Sequence, residues 1–147
     1  MPRTTPRGLI VACLALALSA CGSGTPDEPA VRLPPGAVQE HATELRPGDC
    51  LVTIPDGLIT TVVPCGNPHA AEFAMIYVVP NGPWPGSERA RLLAKEFCTP
   101  RTRIKPSRRD EVAVTALPPL EEEWPRHRTA YCVVVPREGQ LVGRVVE

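Results

Sequence analysis

The sequence predicts a small α+β domain: a mainly antiparallel sheet of about six short strands with one helix, stapled by two disulfides. Three observations carry this prediction. Short β-branched or alternating runs, separated by turns rich in Gly, Pro and Asp, recur between residues 50 and 146. A single stretch, residues 87–98, has helical periodicity, and four cysteines (Cys50, Cys65, Cys98 and Cys132) remain once Cys13 and Cys21 of the leader are set aside.

The leader is an address rather than a structural element. Arg3 and Arg7 form a positive start, and residues 8–17 form an apolar segment too short to span a bilayer comfortably. Leu18-Ser19-Ala20-Cys21 has the pattern of a lipobox, in which the cysteine is lipidated and becomes the first mature residue. Residues 1–20 are therefore expected to be a lipoprotein signal peptide. Cys21 is expected to carry the lipid that holds the protein on the extracytoplasmic face of the cell membrane. Residues 21–44, rich in Gly, Ser, Thr, Pro, Asp and Glu, are expected to form a flexible tether, and residues 45–147 the folded domain.

The chain has 16 Lys and Arg against 16 Asp and Glu, and losing Arg3 and Arg7 with the leader leaves it slightly acidic. A nucleic-acid partner would call for a basic domain, so charge and export both argue against one. An even number of cysteines in an exported chain points to disulfides, and four cysteines allow three pairings. The absence of a Cys-x-x-Cys pair and the wide, unequal spacings argue against a structural zinc site.

The domain opens at Leu45-Arg46-Pro47-Gly48-Asp49-Cys50. Residues 51–54 and 59–63 are strand candidates either side of Pro55-Asp56-Gly57-Leu58, a turn. Cys50 and Cys65 lie symmetrically about the Gly57–Leu58 bond, so they can face each other across two antiparallel strands. This favours a Cys50–Cys65 disulfide and leaves Cys98 for Cys132. The enclosed loops of about 16 and 35 residues would each add roughly 3 to 4 kcal/mol on the chain-entropy model.

Residues 71–79 alternate, with Ala71, Phe73, Met75, Tyr77 and Val79 on one face and Glu72, Ala74, Ile76 and Val78 on the other. Apolar residues on both faces predict a central, mostly buried strand. Residues 80–86, rich in Pro and Gly, end it. Ser87 is a plausible N-cap and Glu88 suits the positive end of a helix; Ala90, Leu93, Ala94 and Phe97 then recur at i, i+3, i+4 and i+7. Arg101, Arg103, Lys105, Arg108 and Arg109 crowd a polar loop. A strand at 111–117, an irregular stretch at 118–125, and a last hairpin of strands 130–135 and 141–146 complete the chain.

Gly48-Asp49-Cys50-Leu51, the run from Val63 through Cys65, Pro68, His69 and Glu72 to Phe73, a helix ending at Cys98, and Pro119 with Trp124, Arg128 and Cys132 together resemble the septum formation domain of actinobacteria. That family has a Gly-Asp-Cys opening, a Cys-x-x-Pro-His-x-x-Glu centre, and a Trp followed by Arg and a final Cys. It occurs on exported lipoproteins and membrane-anchored proteins. The resemblance covers residues 45–146 and departs in placing His127 before Arg128, where the family tends to have Gly-Asp, closer to Trp124. It implies an envelope or cell-division context and names no activity.

The candidate ligand-binding residues are His69, Glu72, Trp124 and Arg128; no catalytic set, metal centre or cofactor is expected. An offset of three along one strand would send His69 and Glu72 to opposite faces, which argues against a shared ion. His69 is instead expected in the turn, its imidazole bonded to local backbone. Trp124 among prolines reads as a packing plug. The basic loop from Arg101 to Arg109 could meet anionic headgroups or wall polymers, with Asp110, Glu111 and Glu121 to Glu123 offsetting it. The expected function is a non-enzymatic, lipid-anchored binding module whose partner is an envelope or division protein or a wall polymer. The rivals are an envelope hydrolase using Asp49, His69 or Glu72, which a deep pocket gathering those side chains would favour, and a structural lipoprotein without a specific ligand.

Overall fold

The β-branched and alternating runs pair into one antiparallel sheet. The computed structural model describes residues 33–147; the expectations for the signal peptide, Cys21 and the first part of the tether lie outside these residues. The strands are β1 (Val38–His41), β2 (Cys50–Leu51), β3 (Ile59–Val63), β4 (Ala71–Val78), β5 (Val112–Leu117) and β6 (Thr129–Pro136). They lie in the order β1-β3-β2-β4-β6-β5, with every neighbouring pair antiparallel. Among the described residues there is one α-helix, α1 (Ser87–Cys98), beside three short 3-10 helices, and it packs against β4, β5 and β6. The bonds Cys50–Cys65 and Cys98–Cys132 are both present, so the small α+β class with two disulfides holds.

Three boundaries differ from expectation. The sheet begins at Val38, inside the stretch read as tether, because Val-Gln-Glu-His forms an edge strand on β3. An edge strand with one free side tolerates polar residues, so it carries no apolar alternation to reveal it. Residues 52–54 do not continue β2. The expected last strand at 141–146 is also absent: that segment makes only single bridges, His69 with Leu141 and Ile104 with Val146. Gly143, at φ 78°, turns the chain out of extended conformation there.

Two finer expectations also change. Cys50 pairs with Val63 rather than with Cys65, so Cys65 lies just past the end of β3 and reaches back to Cys50 from the turn, with a Cα separation of 5.3 Å. The N-cap of α1 is Gly86, at φ 86°, and Ser87 is the first helical residue.

Strand β4 is central, as its apolar faces require, but a bulge interrupts its alternation. Phe73 pairs with Val133 and Met75 with Cys132, leaving Ala74 as the extra residue. Met75 and Tyr77 are thereby moved off the face of Phe73, where strict alternation had placed them. They join Ala94, Cys98, Cys132 and Val134 under the helix, where Tyr77 stacks on Phe97 at a centroid distance of 4.9 Å. The opposite face of the sheet carries Ala42, Leu51, Ala71, Phe73, Tyr131 and Val133, with Leu45, Leu58 and Leu117 against them. On that face Ile76 is 51% and Val78 50% exposed. A single helix has one sheet face to cover, and this is the one it leaves to loops.

Candidate functional site

Pro64 to Pro68 make a turn, closed by Asn67 N–H donating to Pro64 O at 2.9 Å, and it delivers His69 to the end of β4. His69 forms a bridge with Leu141 in both directions, 3.0 and 2.8 Å, and the backbone bends at Ala70 before β4 begins. That bend breaks the alternation that would have sent His69 and Glu72 to opposite faces. The two residues meet on one side, both with no exposed surface, and a donor atom from each lies within 4.8 Å of the other and of Cys50 Sγ.

Each side chain has one end anchored. His69 Nδ1 donates to the Asn67 carbonyl at 2.8 Å, the local backbone bond expected of it, and this leaves Nε2 facing inward. Glu72 Oε2 accepts from Val145 N–H at 2.5 Å and Val146 N–H at 3.2 Å. His69 Nε2 and Glu72 Oε1 are buried without a protein hydrogen-bond partner. Segment 141–146 therefore closes the chamber: its backbone N–H groups serve a carboxylate instead of a strand, and Leu141 and Val145 fill the core beside it. Gly143 N–H also donates to Cys65 O at 2.6 Å, tying the segment to the disulfide.

Asp49 does not join this pair. Its carboxylate accepts from Arg46 N–H at 2.6 Å on the outer side of the turn. Asp49, His69 and Glu72 thus line no common pocket, and the two inner residues are sealed from solvent.

The other two candidate residues hold a neighbouring corner together. Trp124 is half-buried, packs edge-on to Trp84 at 5.3 Å and donates from Nε1 to Gly82 O at 3.0 Å. Arg128 donates to Val79 O at 2.8 Å, beside the backbone bond from Val79 N–H to Arg128 O. Both pin the connection between β4 and α1, which makes Trp124 a plug for that loop rather than for the main core.

In the basic loop, Arg108 pairs with Glu111 at 2.8 Å, Lys105 donates to Arg144 O, and Arg101 lies 4.0 Å over the Phe97 ring while donating to Phe97 O. Arg103 and Arg109, with Lys95 and Arg137 and one acidic residue, Glu147, line an open depression of about 680 Å³.

The accessible apolar concavity lies elsewhere. On the sheet face away from α1, two adjoining depressions of about 190 and 410 Å³ share Ala42, Leu45, Thr129 and Tyr131. Ile76 pairs with Tyr131 and Val78 with Thr129 across β4 and β6, so all four point to this face. Burial raises the Tyr131 phenol above its usual range. Sequence reasoning missed these residues because two apolar faces on β4 read as two buried faces. The signal was there: one helix cannot cover both.

Comparison with protein-family models, with curated proteins and with solved structures returns no match in any of the three. Among the described residues, no helix is long and apolar enough to cross a membrane.

Proposed function

We propose that this protein is a lipid-anchored extracytoplasmic binding module, not an enzyme, and that it takes an apolar segment of an envelope or division protein in the groove around Tyr131. The observation that carries the reading is that groove, an accessible apolar concavity lined by half-exposed Ile76, with half-exposed Val78 beside it opposite Thr129. The sealed burial of His69 and Glu72, away from Asp49, supports binding over hydrolysis, since a hydrolase needs its carboxylates open to substrate and water. The lipobox at Cys21 and the septum-formation resemblance support the envelope setting. The test is affinity capture from crosslinked cells with the lipidated protein as bait, comparing wild type with Ile76→Asp. Partners lost with the groove variant support the reading; partners unaffected by it refute the groove as the docking surface.

A second reading rests on the depression lined by Lys95, Arg103, Arg109 and Arg137, whose cations suit an anionic wall polymer. Co-sedimentation with purified wall polymer, lost in Arg103→Ala/Arg109→Ala and weakened by salt, would favour it.

A further inference from the structure

The chamber around His69 and Glu72 has the parts of a metal site with one element withheld. His69 donates its outer ring N–H to a backbone carbonyl and turns Nε2 inward, the arrangement that fixes the tautomer of a metal-ligating imidazole. Glu72 is held by two backbone N–H groups through Oε2, its Oε1 is buried without a partner, and a carboxylate oxygen lies within 4.8 Å of a His69 ring nitrogen. The third neighbour, Cys50 Sγ, is bonded to Cys65, and a disulfide sulfur lacks the thiolate charge that binds metals.

We propose that reduction of the Cys50–Cys65 bond converts this chamber into a four-ligand site for zinc(II). The ligands are the Cys50 and Cys65 thiolates, His69 Nε2 and Glu72 Oε1. A dithiol reductant supplies the two electrons that break the S–S bond and the two protons that convert the sulfurs to thiols, and leaves as a cyclic disulfide. Zinc binding then displaces both thiol protons to solvent. Two sulfurs, one imidazole and one carboxylate form a donor set suited to tetrahedral zinc. Bond lengths of about 2.0 to 2.3 Å place such donors about 3.3 to 3.8 Å apart. Donor atoms of Cys50, His69 and Glu72, within 4.8 Å of one another, therefore close by about 1 Å, and Cys65 Sγ, freed from its bond to Cys50, moves away from that sulfur to take the fourth position.

An access route exists. Cys65 is half-buried, and a surface depression of about 280 Å³ lined by Gly48, Cys50, Pro64, Cys65 and Arg144 opens onto the disulfide. Gly48 O lies 3.4 Å from Cys65 Sγ. The Arg144 guanidinium sits against Gly48, 3.1 Å from where a Cβ would be, and offsets the net negative charge that two thiolates and a carboxylate leave around a divalent ion.

The test uses the full chain, reduced with dithiothreitol, freed of it without air, and titrated with cobalt(II) as a spectroscopic stand-in for zinc(II). The expected result is one equivalent bound after reduction and none before, with the charge-transfer and d–d bands of tetrahedral thiolate-bound cobalt, bleached by zinc(II). Mass-spectrometric mapping should show zinc slowing alkylation of Cys50 and Cys65 by about tenfold or more while Cys98 and Cys132 keep their rates. His69→Gln should lower the affinity by at least about tenfold. Bands that persist in Cys50→Ser/Cys65→Ser, or a folded reduced chain without bands, overturn the proposal. So does a reduced chain that unfolds and that zinc does not return to its native circular dichroism, because binding at a real site would drive refolding.

Discussion

His69 and Glu72, three residues apart, are both fully buried on the same side of the sheet and bring donor atoms within 4.8 Å of each other beside the Cys50–Cys65 disulfide. The bend at Ala70 makes this possible, and segment 141–146 seals it. What looks in sequence like a fragment of an active site is, in the oxidised fold, the fastening of the chain's C-terminal end.

Glu72→Ala should loosen that end. It removes the acceptor of two backbone N–H groups, and each buried donor left unsatisfied costs about 1 to 3 kcal/mol. The expected loss is about 2 to 5 kcal/mol in urea unfolding, with faster amide exchange at Val145 and Val146. Unchanged protection at those two amides would show that the carboxylate does not hold the segment.

The two disulfides should differ in weight. On the chain-entropy model, closing sequence separations of 15 and 34 residues stabilises by about 3 and about 4 kcal/mol respectively. Cys98→Ala/Cys132→Ala should therefore cost more than Cys50→Ala/Cys65→Ala, the more so because it also opens space under α1. The reverse order in denaturant melts would count against the chain-entropy account.

Tyr131 should make stability fall in alkali. Its folded-state pKa is raised above 10.0 by burial, so its contribution is fully present below pH 10.0 and is lost as pH rises through the folded value. Ultraviolet titration should show a late phenolate step that Tyr131→Phe removes. Persistence of that step in the variant would contradict its assignment to Tyr131.

Cys21→Ala should move the protein from the membrane fraction to the soluble one. Retention in the membrane fraction, with the precursor fully processed, would contradict lipid anchoring at Cys21.

Much of the fold was legible because it rests on local rules. The β-branched run from Ile59 to Val63, the helical spacing of Ala90 and Ala94, and the Pro-rich turn before His69 each report their own surroundings. Pro55-Asp56-Gly57-Leu58, by contrast, forms a run of bends rather than the tight turn its Asp-Gly pair suggests. What was not legible depends on partners far away in sequence. Val38 to His41 form a strand only because β3 offers an edge, and Ala74 bulges where β4 meets β6. Leu141 to Val146 have the apolar content of a strand, yet Gly143 turns the backbone and Glu72 takes its N–H groups.

The candidate site divides the same way. His69 bonded to local backbone follows from its turn, whereas its meeting with Glu72 depends on a bend that no residue type in Pro68-His69-Ala70-Ala71 announces. The apolar groove depends on which face α1 covers, and the bulge at Ala74 settles that Ile76 and Val78, rather than Met75 and Tyr77, share the face of Phe73.

The central claim, that this domain binds a partner through the sheet face opposite its helix, is tested most directly by photo-crosslinking in living cells. A photoreactive residue is placed at position 76 and, in a parallel protein, at position 103. The account predicts a discrete adduct with an envelope or division protein from position 76 that disappears with Val78→Asp. Adducts from position 103 alone, or none that recur from position 76, would contradict it.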